Sequence, residues 1–387
     1  MRCGGCGSKV GAGVLRRVLS RLGVGGEGGY GGLDDAAVIM PPSEPGALMV
    51  HTVDFFRSFV TDPYVFGRIA ANHALSDVHA MGADPATALA IATVPFGGES
   101  QVEGTLEQLL AGALRTLKEA GCTLVGGHTC EGAEVALGLS VNGVARGGAA
   151  SLLKKGGAAA GDALVLTKAV GTGAILAAEM RGRAASPWVQ PAIRSMLQSN
   201  GPAAAILRDH GANACTDVTG FGVAGHLAEM LRASPSSPAS ERTPSTMPNG
   251  RGVEVRSSGN QSLCAVAKPS LLNAELSLEL VPVLPGAVEV VEEGIVSTLQ
   301  GQNERDNAAA VAEGGNGKGG PVRDARFRLL FDPQTAGGLL AAVPQNRAQK
   351  CVEMLRRAGC ESAAIIGTVT ETVGSGEGVR IRIVPVK

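Results

Sequence analysis

Aromatic side chains are scarce: one Trp, two Tyr and eight Phe make up 3% of 387 residues. So few rings exclude base stacking on aromatic platforms as the main activity. Charge of one sign is lacking too, since 34 basic and 35 acidic residues leave a net charge of -1. No overall field gathers nucleic acid or an anionic membrane, and neither is an expected partner; anion binding has to be local, with a bound metal as one way to assist it. Long apolar runs are missing. Uncharged stretches such as Pro85–Gly98 contain Pro and Gly and fall below the ~18 residues that a membrane span needs. Cysteine is present eight times, but the start Met1-Arg2-Cys3 leaves no room for the apolar core of a secretory signal. The thiols are therefore expected to be reduced, in the cytoplasm. Glycine is abundant, with 56 residues, and favours loops whose backbone comes close to a ligand.

The length predicts two domains, each of roughly 100 to 200 residues. Val14–Leu22 carries apolar residues at helical spacing, and a Gly-rich linker follows over 23–32. Ala36–Met40 and Leu48–Val53 read as short strands, Val65–Met81 as a helix ending before Gly82, and Ala86–Val94 as a buried strand. Leu106–Ala120 reads as a helix, and Thr123–Val125 and Val135–Val144 as strands. This alternation gives an α/β or α+β class. A second unit begins near Gly161-Asp162 with a strand at Ala163–Thr167 and a helix from Ala174. The expected division is 1–155 and 156–387, with flexible insertions near 234–258 and 308–322 where Ser, Pro and Gly accumulate.

Three kinds of segment carry chemistry. In Cys3-Gly-Gly-Cys6-Gly-Ser8-Lys9 a thiol and an amine sit three residues apart among glycines, as in a mobile reactive loop. A zinc half-site and a fraying terminus are the competing readings, although the zinc site lacks a second Cys-x-x-Cys or a His pair. Carboxylates recur at the ends of apolar runs: Asp34 and Asp35 before a strand, Asp54 after one, and Asp77 within a helix. A hard cation such as Mg2+ takes oxygen ligands from one or two carboxylates and shares the rest with nucleotide phosphates, whereas capping or solvated turns are the ordinary alternative. Glycine-rich turns, Gly126-Gly127-His128-Thr129 and Thr216-Asp217-Val218-Thr219-Gly220-Phe221-Gly222, offer backbone N–H groups to phosphate oxygens. Gly23-x-Gly25-x-x-Gly28 follows a helix instead of a strand, Gly171-Thr172-Gly173 lacks the third glycine, and Gly317-Lys318 precedes Gly319, so none is a nucleotide fingerprint.

In this order along the chain, the segments resemble selenophosphate synthetase, also called selenide, water dikinase. The resemblance is carried by Cys6-Gly7-Ser8-Lys9, Asp34 to Val38, Thr52-Val53-Asp54-Phe55-Phe56, Phe66 to Ala71 and Ser76-Asp77-Val78-His79-Ala80-Met81-Gly82. It continues through Gly126-Gly127-His128, Thr216 to Gly222 with Gly225-His226-Leu227, Asn303-Glu304-Arg305 and Asp332-Pro333-Gln334-Thr335-Ala336-Gly337-Gly338-Leu339-Leu340. Ser8 stands where many members have a second Cys, and His73 where an Asn is usual.

The resemblance implies the two-domain aminoimidazole-ribonucleotide-synthetase-like fold, with N-terminal strands pairing across a homodimer and nucleotide near the subunit interface. It implies the reaction of ATP, selenide and water to selenophosphate, AMP and phosphate. Cys6 and Lys9 are then catalytic. Lys9, Asp54, Asp77, Gly126, Gly127, His128 and Thr129 contact the nucleotide, while Asp35, Asp77 and Asp217, joined by Asp54, hold Mg2+. The alternatives are another ATP-dependent enzyme of the same superfamily, such as thiamine-phosphate kinase, and a non-catalytic nucleotide-binding paralogue.

Overall fold

The computed structural model describes residues 37–39, 46–234, 272–313, 324–371 and 379–385. The helix expected at Val14–Leu22, Cys6, Lys9, Asp34 and Asp35, and the expected insertion from 235 onward lie outside the described residues.

Five strands build the first sheet: β1 (Ala37–Ile39), β2 (Leu48–Arg57), β3 (Asp84–Pro95), β4 (Thr123–Gly132) and β5 (Ala136–Ala145), in the order β1-β2-β5-β3-β4. All neighbours are antiparallel except β3 and β4, which run parallel. Parallel neighbours need a crossover, and α2 (Glu99–Glu119) supplies it. α1 (Pro63–Ala80) begins on an Asp62 cap, whose carboxylate accepts from the Tyr64 and Val65 N–H groups, with Pro63 at the first position. The two helices cross at glycines. A Cβ on Gly67 would lie 2.0 Å from the Leu109 carbonyl, and one on Gly112 would lie 2.0 Å from the Tyr64 carbonyl. Either substitution would force the helices apart.

Strand alternation decides what each face of this sheet carries. Leu48, Val50 and Phe56 turn toward α1 and join Leu137, Leu139, Val141, Ala88, Ala90 and Ala92 in one core. Thr52 and Asp54 share that covered face by parity. The opposite parity leaves Val53, Phe55, Leu89 and Ile91 exposed by 63, 50, 43 and 39%, on the same sheet face and on either side of Ser140 and Gly138 of β5.

The second sheet has seven strands: β6 (Ala163–Leu166), β7 (Ala214–Asp217), β8 (Leu272–Leu276), β9 (Val311–Glu313), β10 (Leu339–Val343), β11 (Ala364–Glu371) and β12 (Ile381–Ile383). Their order is β7-β10-β6-β11-β8-β12-β9, with β12 parallel to both β8 and β9. β6, β7 and β10 are buried throughout, as continuous apolar strands covered on both faces must be. One face packs on α3 (Thr172–Glu179) and α6 (Gly222–Arg232), the other on α5 (Gly201–Asp209) and α10 (Gln345–Arg357). The mixed α/β two-sheet class agrees with the sequence reading.

Three local expectations are corrected. Asp54 does not follow its strand but lies inside it, because β2 runs on to Arg57 paired with β5. Gly126-Gly127-His128-Thr129 is not a turn: the four residues lie in the edge strand β4, where parallel pairing with β3 continues to Gly132. Within the stretch 308–322 read as inserted, Val311–Glu313 is a strand of the second sheet.

α1 also carries a pH-dependent element of stability. Burial lowers the His79 imidazole from 6.5 to about 4. Between those values the unfolded ring binds a proton and the folded ring does not, so stability falls as pH drops from 6.5 toward 4. Denaturant unfolding at pH 7 and pH 4.5 should show the parent losing about 2 to 3 kcal/mol more than His79→Phe. Equal losses would assign the acid sensitivity elsewhere.

Candidate active site

Residues two apart on a strand share a face, and residues four apart on a helix share a face. β2 offers Thr52 and Asp54 to α1, and α1 offers His73 and Asp77 to β2. The Thr52 hydroxyl donates to Oδ2 of Asp77. In the other direction, His73 Nε2 lies 3.9 Å from Oδ2 of Asp54, whose side chain is 12% exposed. Strand and helix therefore each hold one carboxylate: the strand's Thr52 bonds that of the helix, and the helix's His73 faces that of the strand. Asp54 and Asp77 thus lie on facing elements, while the parts played by Thr52 and His73 emerge only from the structure.

Asp217 closes β7 and is 1% exposed. β7 packs against α1, which brings Asp217 to the helix that carries Asp77. The turn after it is tightly held. Val218 N–H donates to the Gly338 carbonyl, Gln334 N–H to the Thr219 carbonyl, and Asn303 Nδ2 to the carbonyls of Gly220 and Phe331. Thr219 N–H donates to His226 Nε2 at 3.1 Å.

The loop Asp332–Gly338 links the two units. Gln334 Oε1 accepts from the N–H groups of Gly171 and Thr172 and from the Thr172 hydroxyl. The N–H groups of Gly171 and Thr172 in the Gly171-Thr172-Gly173 turn are thus taken by Gln334. Asp332 is fully buried and accepts from Gly173 N–H and Gln334 Nε2. Burial pushes its carboxyl up to about 7, against the pull of the donors at Ala174, Gln334 and Gly173. Lys168 Nζ donates to the carbonyls of Gln198 at 2.7 Å and Ala336 at 3.0 Å. Burial brings its ammonium down to about 7. Sequence reading does not select Lys168 for the site; its surroundings come from distant segments.

Gly126, Gly127, His128 and Thr129 are exposed along β4. By register Gly127 continues the row Asp54, Leu139, Ala90 on the covered face, whereas His128 pairs with Ile91 on the uncovered one. A Cβ on Gly127 would lie 2.1 Å from the Ala90 carbonyl, so the strand tolerates no side chain there. Cys6, Lys9 and Asp35 lie outside the described residues, and among the described residues no three His, Cys, Asp or Glu side chains gather as a metal-binding group.

Residues 33–147 match the AIR synthase related protein N-terminal domain family, and residues 159–379 match the corresponding C-terminal domain family. The chain is 36% identical over 371 residues to selenide, water dikinase of Pelobacter propionicus, covering 95% of this chain and 93% of that protein. Against the enzyme of the same name from Geobacter metallireducens the identity is 35% over 380 residues, with 95% of each chain covered. The chain belongs to the selenide, water dikinase family. Two solved structures outside that family share its architecture. Thiamine monophosphate kinase from Aquifex aeolicus superposes with a TM-score of 0.59 at 16% identity, covering 96% of both chains. A HypE–HypF complex gives 0.62 at 15% identity and 97% coverage of both. At such identities these two speak for the fold alone: the AIR-synthase-like two-domain fold that the sequence reading expects.

Proposed function

We propose that this protein makes selenophosphate from ATP, selenide and water, releasing AMP and orthophosphate. The observation that carries the reading is near-full-length identity to selenide, water dikinases, joined to a covered sheet face on which Asp54 and Asp77 converge. Each of two phosphoryl transfers spreads negative charge over equatorial oxygens, and preorganised positive charge is what such transition states require. The donor set fits Mg2+ in kind: Asp54, Asp77 and Asp217 offer carboxylate oxygens, with Asp35 as a further member from the sequence. Bound there, Mg2+ would neutralise triphosphate charge. The chain's own residues do the rest. Thr52 fixes the Asp77 carboxylate, the Gly126–Thr129 strand edge lines the nucleotide, and Cys6 and Lys9 act at selenide and at the phosphoryl oxygens.

Chromatography of the nucleotides tests the stoichiometry. Selenide-dependent consumption of ATP should yield AMP and orthophosphate in equal amounts, and steady accumulation of ADP would contradict it.

The working unit in this reading is a homodimer in the cytoplasm, divided near residue 155 into a nucleotide-binding and dimerising part and a C-terminal part. Among the described residues no helix is long and apolar enough to cross a membrane. The exposed row Val53, Phe55, Leu89 and Ile91 fits the same row of a second copy. His128, on that uncovered face, would then contact nucleotide from the other subunit. Sedimentation should find Phe55→Asp shifted from dimer to monomer at micromolar concentration; a parental protein that is already monomeric would remove the homodimer from the account.

A further inference from the structure

His73 occupies a position where its two ring nitrogens face different units of the protein. The side chain is 1% exposed, and its ring lies 4.5 Å from the Phe56 ring at a tilt of 47°. Nδ1 accepts the Ala336 N–H at 3.0 Å. A ring nitrogen that accepts an N–H presents a lone pair, so the proton of the neutral ring sits on Nε2. That Nε2–H faces Oδ2 of Asp54 at 3.9 Å. Ala336 is itself unusual. Its φ of 46° makes it the sole non-glycine residue with a left-handed backbone among the described residues, and its carbonyl accepts from buried Lys168. Both backbone polar atoms of this strained residue are therefore held, one by α1 and one by the strand end at Lys168.

We propose that His73 is a positioning residue that couples the Asp54 carboxylate to the Asp332–Gly338 loop. The loop's N–H sets the tautomer, and the tautomer turns an N–H toward the carboxylate across 3.9 Å, an electrostatic contact longer than a hydrogen bond, where the outer partners of metal-binding carboxylates orient them. The inference deepens the proposed function, because it takes Asp54 as a ligand of nucleotide-bound Mg2+. The two halves of the coupling separate by side-chain topology. The Oδ1 of an Asn stands where His73 Nδ1 stands and can still accept from Ala336, but no atom reaches toward Asp54. The Nε2 of a Gln stands where His73 Nε2 stands and can still face Asp54, but the acceptor for Ala336 is gone.

The test uses full-length His73→Asn and His73→Gln. Two-bond proton–nitrogen NMR on histidine-labelled parent protein should show the Nε2–H tautomer for the ring whose signal vanishes in His73→Asn. Calorimetry with Mg2+ and ATP should find affinity about tenfold weaker in His73→Asn, with the melting temperature close to parental. In His73→Gln the melting temperature should fall while Mg2+-ATP affinity stays nearer the parent's. An Nδ1–H tautomer, or parental affinity in His73→Asn, overturns the proposal, as does equal loss of affinity in the two variants. None of these readouts needs selenium chemistry. A protein that made no selenophosphate but showed the contrasting affinities would keep the positioning role and lose the proposed reaction.

Discussion

Cys6→Ser should lower selenophosphate formation by about three to four orders of magnitude or more, as loss of a reacting group does, while ATP still binds. A thiol is a soft group suited to a selenium species, and under the proposed roles an ammonium at Lys9 would favour its thiolate. Serine keeps the shape and loses both the softness and the ready ionisation. Cys3→Ser is the control that should change little, and Lys9→Ala should depress every ATP-consuming step because it removes charge facing the phosphoryl oxygens. Parental rates in Cys6→Ser with selenide as donor would reassign this segment to structure.

Asp77→Asn and Asp54→Asn should each weaken Mg2+-ATP binding by about ten- to a hundredfold and slow turnover, with unfolding close to the parent's. The amide keeps an oxygen for coordination but removes a full charge. For Asp77 the case is strengthened by Thr52, whose hydroxyl bond to Oδ2 aims the carboxylate. In Asp77→Asn the new amide can still accept that bond through its oxygen, so the expected loss lies in charge and not in placement. Calorimetry showing unchanged affinity in both variants would make the two carboxylates structural.

Much of this is legible in the sequence because periodicity reports burial. α1 is visible between Val65 and Met81, and its true start at Pro63 follows from the Asp62 cap. Asp54 and Asp77 stand out as acids beside apolar runs, and packing does bring them to one face. β4 is hard to read because Gly126 and Gly127 look like punctuation. Its reason to be a strand is tertiary: the β3 backbone passes so close that Gly127 cannot carry a side chain. Val311–Glu313 is likewise hidden, since three residues become a strand only by pairing with Ile381–Ile383. The Thr52 and His73 supports are present as spacings of two and four from the carboxylates, a signal that gains meaning once β2 and α1 are known to face each other. Lys168 and Gln334 have no such local signal. Their backbone partners are remote, with 168 residues separating Lys168 from Ala336 and 163 separating Gln334 from Gly171.

The measurement that bears most directly on the central claim is phosphorus NMR of the protein with ATP, Mg2+ and selenide under anaerobic conditions. The account predicts a phosphorus resonance coupled to selenium, growing together with those of AMP and orthophosphate. Orthophosphate and ADP without any selenium-coupled resonance would contradict it.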